Sequence, residues 1–236
     1  MMAVHRLDCA LGLDLVLHTP GGSIASTEAI VNYLHLKFKK DLRVIVPQIA
    51  MSAGTMIACS SREILMGHQS SLGPIDPQIR GVPAQGVINE FKRALSDCEQ
   101  NQAAILVWQQ IIQQYRPTFL GQCEQAIEWT TAFVTQQLSS VMFEGRSDAH
   151  SVAERIVKTL GDADEHKAHE RHISAAKCQE LGLNVKMLEQ DNDMQDIVLT
   201  LHHCFMHTLM NSPAFKIIEN HLGTAFIKNQ TQGPKQ

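Results

Sequence analysis

The chain has 236 residues, of which 44% are hydrophobic and 19% charged, and its formal net charge is −4. That composition supplies a sizeable core and excludes global disorder. The mild acidity argues against a general nucleic-acid binder, whose phosphate contacts need a basic face, and the length suits one α/β domain with or without a helical extension.

The start, M-M-A-V-H-R-L-D-C-A, lacks the form of a secretory signal. The six cysteines (9, 59, 98, 123, 178 and 204) include no C-x-x-C pair. Reduced thiols in a cytoplasmic protein are the expectation. No apolar run approaches the roughly 18 residues that cross a bilayer, so no transmembrane segment is expected. Peripheral contact with a membrane stays open.

In chain order, 13–19 (LDLVLHT) reads as a buried strand. The turn P-G-G-S leads to S-T-E-A-I-V-N-Y-L-H-L-K-F-K-K at helical spacing, with K-F-K-K at the helix C-terminus. Residues 42–47 (LRVIVP) read as a second strand, S-A-G-T-M-I-A-C-S-S as a short small-residue helix, and 62–66 (REILM) as a third strand. This alternation predicts βαβαβ with a parallel sheet. Residues 67–84 read as a loop, and about 86–160 as helical with breaks near Pro117 and Gly145. Residues 161–172 are polar and read as loop. S-A-A-K-C-Q-E-L-G-L (174–183) predicts a helix closed by Gly182. A strand at 184–188 and an amphipathic helix at 194–210 follow, and the last dozen or so residues read as polar and frayed.

A right-handed crossover makes the first two strands parallel. If they are neighbours, Gly21-Gly22 and Ser52 lie together outside their C-terminal ends, where open α/β sheets bind ligands. Glycines let backbone N–H groups approach a ligand. N–H groups near Gly21 or Gly22 and at Ala53 suit a developing oxyanion. Ser52 at a helix start suits a nucleophile, and equally an ordinary N-cap. The residues alone leave that choice open.

T-P-G-G-S (19–23), M-S-A-G-T (51–55) and S-L-G-P-I-D-P-Q (71–78), in this order, resemble the serine dehydrogenase proteinase family. That family belongs to the Clp protease/crotonase-like superfold, with signal peptide peptidase A as a relative. The likeness resumes at H-E-R-H-I-S-A-A-K-C-Q-E-L-G-L (169–183), which resembles the family's H-D-x-P-I segment and the helix that follows. The resemblance implies an α/β Clp/crotonase-like βαβ spiral with a parallel sheet. It implies one domain over 1–236, with a helical insertion at about 86–160 and a C-terminal helical segment at about 192–228. Relatives usually carry a strand and helix before the first strand seen here, so the chain reads as N-terminally shortened.

The resemblance also implies a serine peptidase acting through an acyl-enzyme on Ser52, with Gly21, Gly22 and Ala53 forming the oxyanion hole. In Clp subunits the catalytic histidine follows the serine at a distance that here falls near Gly73–Asp76, where no histidine stands. The candidate bases are therefore His169, His172 and His68, in that order. Glu170, in the place of the Clp acid, and Asp76 are the candidate acids. A lysine base, as in signal peptide peptidase A, has no candidate between 41 and 91, although Lys92 or a later lysine could reach back. The implied partners are a peptide or protein substrate and further copies of the chain. No cofactor or metal is implied.

Two alternatives accompany this reading: a crotonase-type acyl-CoA enzyme using the same oxyanion hole, and an inactive scaffold of the same fold. His203 and His207 have the i, i+4 spacing of metal ligands, but read as part of a packed or solvated helix. Trp108 and Trp129 read as helix-packing anchors.

Overall fold

A computed structural model describes residues 2–161 and 171–230. Its first half runs β1 (Leu13–Val16), α1 (Ile24–Phe38), β2 (Leu42–Val46), β3 (Ile49–Ala50), α2 (Ala53–Cys59) and β4 (Glu63–Met66). The short strands β5 (Ser71–Leu72), β6 (Gln78–Ile79) and β7 (Val82–Pro83) follow. Next come α3 (Ala84–Gln100), α4 (Ala104–Ile112), α5 (Phe119–Gln137), which runs into one π-helical turn at Leu138–Met142, and α6 (Ala149–Gly161). Beyond residue 170 lie β8 (Ile173–Ser174), α7 (Ala175–Leu181), β9 (Val185–Met187), α8 (Asn192–Asn211), β10 (Ala214–Glu219) and β11 (Ala225–Asn229).

The main sheet has the order β1-β2-β4-β9 and is parallel throughout. Alternate residues of its strands serve opposite faces. Val44, Val46, Ile64 and Met66 join the large core with Met56, Phe133, Ile156 and Cys178. Ile45 and Leu65 join a smaller core with Leu188 and with Val198 of α8. Helices therefore cover both faces, as an all-parallel sheet requires. Ser23 caps α1, its Oγ accepting the N–H of Ser26 at 3.5 Å, and Val31, Leu34 and Phe38 bury its inner stripe. The α3–α5 insertion has its own cluster around Ala84, Val87 and Cys123, with Phe91, Tyr115 and Phe119 packed against it.

A second sheet, β3-β5-β8, brings distant segments together. β3 runs parallel to β5, and β5 pairs antiparallel with β8 in the register Ser71↔Ser174 and Leu72↔Ile173. An isolated bridge between Thr19 and Ala50 adds the end of the first strand.

Two expectations need correction. Residues 67–84 are not one loop, since β5, β6 and β7 interrupt them. The tight β6–β7 connection places Arg80 and Gly81 at φ 55° and 80°, as a primed hairpin turn demands. The C-terminal segment is not helical to about 228 either. α8 stops at Asn211, and 214–229 form the antiparallel hairpin β10–β11. Ser212-Pro213 breaks the helix, and A-F-K-I-I-E and A-F-I-K-N carry the aromatic and β-branched residues of strands.

A candidate serine site at the sheet's C-terminal end

The turn after β1 and the turn before α2 meet. A Cβ placed on Gly21 would lie 3.1 Å from Ser52 Cβ and 3.3 Å from the Met51 carbonyl, and Gly21 has φ +124°. Only glycine fits that approach with that backbone. Gly22 adjoins Ala53, its virtual Cβ being 4.0 Å from the Ala53 Cβ. Gly54 lets α2 press onto the first strand segment, where a Cβ would fall 2.5 Å from Thr19 Cγ2.

Ser52 has φ 51° and ψ −113°, a conformation sparsely populated by any L residue. Its carbonyl starts the helical ladder by accepting the Met56 N–H at 3.1 Å, yet its hydroxyl makes no capping hydrogen bond. The strained backbone thus removes the hydroxyl from the capping role that the sequence left open. The turns around it are fixed by their own bonds. Gly21 N–H donates to Thr19 Oγ1 at 3.1 Å. Thr19 N–H donates to the Ile49 carbonyl of β3 at 3.0 Å, and the Thr19 carbonyl accepts the Met51 N–H at 3.0 Å. Buried Thr55 Oγ1 lies 2.8 Å from the Ala50 carbonyl and accepts the Gly73 N–H at 2.9 Å, tying α2 to the 71–78 segment. Among the described residues, Gly22 N–H and Ala53 N–H have no hydrogen-bond acceptor.

A cleft of ≈ 800 Å³ opens here, lined by Gly22, Ser52 and Ala53 and, from the far end of the sequence, by His172. His172 Nδ1 is 2.6 Å from Ser71 Oγ. The β5–β8 pairing delivers both, since each residue directly precedes or begins a paired strand. Ile75, Pro77 and Gln78 form another side of the cleft. Asp76, between them, is buried (3% exposed) rather than lining the cleft.

The other candidates divide clearly. His68 is exposed beyond β4, its backbone N–H donating to Glu189 Oε1 at 2.8 Å, and it is no part of the cleft. Lys92 is exposed on α3 and likewise absent from the lining. His169 and Glu170 lie outside the described residues. Trp108 is half-buried on α4, its indole donating to Asp97 Oδ2 of α3 at 3.1 Å. Trp129 ties α5 to α1 through Glu28 Oε2 and also lines the cleft. Ser71 escaped sequence reasoning: it opens the S-L-G-P motif, but its partner stands 101 residues away.

The family profile described as ClpP-like SDH-type serine proteinase matches residues 3–220. The chain belongs to this family. Two curated relatives of this chain, both from Methanocaldococcus jannaschii, are named Uncharacterized protein MJ0137 and Uncharacterized protein MJ1495. The first is 29% identical over 80% of this chain and 57% of its own length. The second is 28% identical over 73% of this chain and 51% of its own. The chain thus spans about half the length of the curated relatives it matches. No solved structure gives a significant match. Among the described residues, no helix is long and apolar enough to cross a membrane.

Proposed function

We propose that this family member is a serine peptidase that cleaves peptide bonds through an acyl-enzyme on Ser52, with His172 as general base. The observation that carries the proposal is the meeting of Ser52, Gly22, Ala53 and His172 at one cleft. With Nδ1–H donating to Ser71 Oγ, the His172 ring presents the Nε2 lone pair. Ser52 Oγ attacks the scissile carbonyl carbon, and its proton passes to Nε2. The oxyanion is held by the N–H groups of Gly22 and Ala53. Gly21 N–H, already given to Thr19 Oγ1, shapes the turn instead. As the C–N bond breaks, Nε2 returns the proton to the leaving amine. Water then hydrolyses the ester by the same route.

Ser71 here stands where many triads hold a carboxylate. A hydroxyl orients the imidazole but stabilises imidazolium less than a carboxylate does. A crotonase-type alternative would instead need a carboxylate or a water near the thioester rather than an activated serine. Six unpaired cysteines support a reducing, cytoplasmic setting. Exposed apolar side chains on α4, α8 and the C-terminal hairpin support assembly into a homo-oligomer.

The test is labelling by a fluorophosphonate. Wild-type protein is expected to label at Ser52, and Ser52→Ala not at all. His172→Ala should slow labelling about 100-fold or more, the usual contribution of a general base. Ser71→Ala should slow it by a smaller factor, about tenfold. Unlabelled wild-type protein with a folded circular-dichroism spectrum would leave the inactive scaffold as the better reading.

A further inference from the structure

We infer that the cleft beside Ser52 receives a large apolar side chain of the substrate and that Trp129 is the residue that selects it; this rests on the peptidase reading above. The cleft lining includes the large apolar side chains of Ile24, Ile49, Met51, Met56, Ile75 and Trp129. These six come from six separate places in the fold, yet all are apolar. No Asp, Glu, Lys or Arg occurs among the described lining residues. A charged substrate side chain entering here loses hydration and meets no permanently charged side chain among the described lining residues. An aliphatic or aromatic one exchanges water for carbon surface.

Trp129 is the largest part of that apolar lining and comes from α5, in the helical insertion. Its indole N–H donates to Glu28 Oε2 of α1 at 2.7 Å, so the ring bridges the insertion and the helix that follows the P-G-G turn. It keeps 43% of its surface exposed. A helix-packing tryptophan would hide that surface. This one is held at its polar edge and offers the rest to whatever occupies the cleft, the usual economy of tryptophan at recognition surfaces.

The experiment separates recognition from chemistry by using Ser52→Ala protein, which binds without turnover. Its affinity for acetyl-Ala-Ala-Phe-amide and acetyl-Ala-Ala-Asp-amide is measured by calorimetry, with and without a second substitution at position 129. The phenylalanine peptide is expected to bind at least about tenfold more tightly than the aspartate peptide. Trp129→Ala should remove most of that difference, and Trp129→Phe should keep most of it. Equal binding of the two peptides, or a preference that survives Trp129→Ala, overturns the inference. Fluorophosphonate labelling of the wild-type protein is read alongside. Its loss would sink the peptidase reading, whereas the peptide preference stands or falls by the binding data.

Discussion

Ser52 shows how function and local stability pull apart in one residue. Its φ of 51° and ψ of −113° suit glycine rather than an L side chain, and such strain costs on the order of 1–3 kcal/mol. Ser52→Gly is therefore expected to be more stable than Ser52→Ala by about 1 kcal/mol, after allowing for glycine's greater chain entropy. Both variants should be inactive. Urea midpoints at unchanged m-value provide the check; equal midpoints would remove strain from the account. Gly21→Ala should fold less well and lose labelling, because the new Cβ has to move Ser52 or the Met51 carbonyl. Ser52 and the glycines were legible because they stand in short local motifs. Ser71 was not, since no local pattern announces a partner 101 residues along the chain. The place of Trp129 at the cleft was not legible for a related reason: helical periodicity says which face a residue occupies, not whether that face also meets a cleft.

At the level of elements, α8 rests on the sheet through Val198 and Met194 and through a polar contact at its middle. There His202 Nε2 lies 3.1 Å from His18 Nδ1, just after β1. Burial lowers the pKa of both rings below the ordinary 6.5, and for His202 the neighbouring His18 and His203 act in the same direction. One of the two nitrogens must accept, so the contact needs at least one neutral ring. The unfolded chain binds more protons than the folded one as pH falls below 6.5, so this contribution is present above that value and is lost on acidification. His35, buried against the Ser60 carbonyl, adds to the same trend. Tm is thus expected to fall between about pH 7.5 and about pH 5.5, with a shallower fall in His202→Gln. An identical slope in the variant would exclude the pair as its cause. The βαβαβ order was readable because buried strands and helices alternate there with clear breaks. The hairpin 214–229 was not, because its strands bury almost nothing: alternation signals a strand only when one face meets a core.

The whole molecule leaves apolar surface uncovered. α4 buries none of its residues, and Leu106 and Val107 are 72% and 62% exposed. On the hairpin, Ile218 and Phe226 stand opposite each other and both face solvent. Sedimentation velocity at micromolar concentration is expected to show a species larger than 26.2 kDa, shifted toward monomer by Phe226→Asp. A wild-type monomer at every concentration would count against assembly through these surfaces.

The two-residue β5–β8 pairing has a temporal consequence. The P-G-G turn proposed to hold the oxyanion and Ser52 precede the helical insertion, whereas the proposed base arrives only when β8 docks on β5. Contacts of such long separation form late in folding, and a nascent chain emerges N-terminus first. On the roles proposed above, a nascent chain holds its serine before the helical insertion and β8 have delivered the proposed base. Such an order would keep the peptidase proposed here silent until β8 has docked on β5.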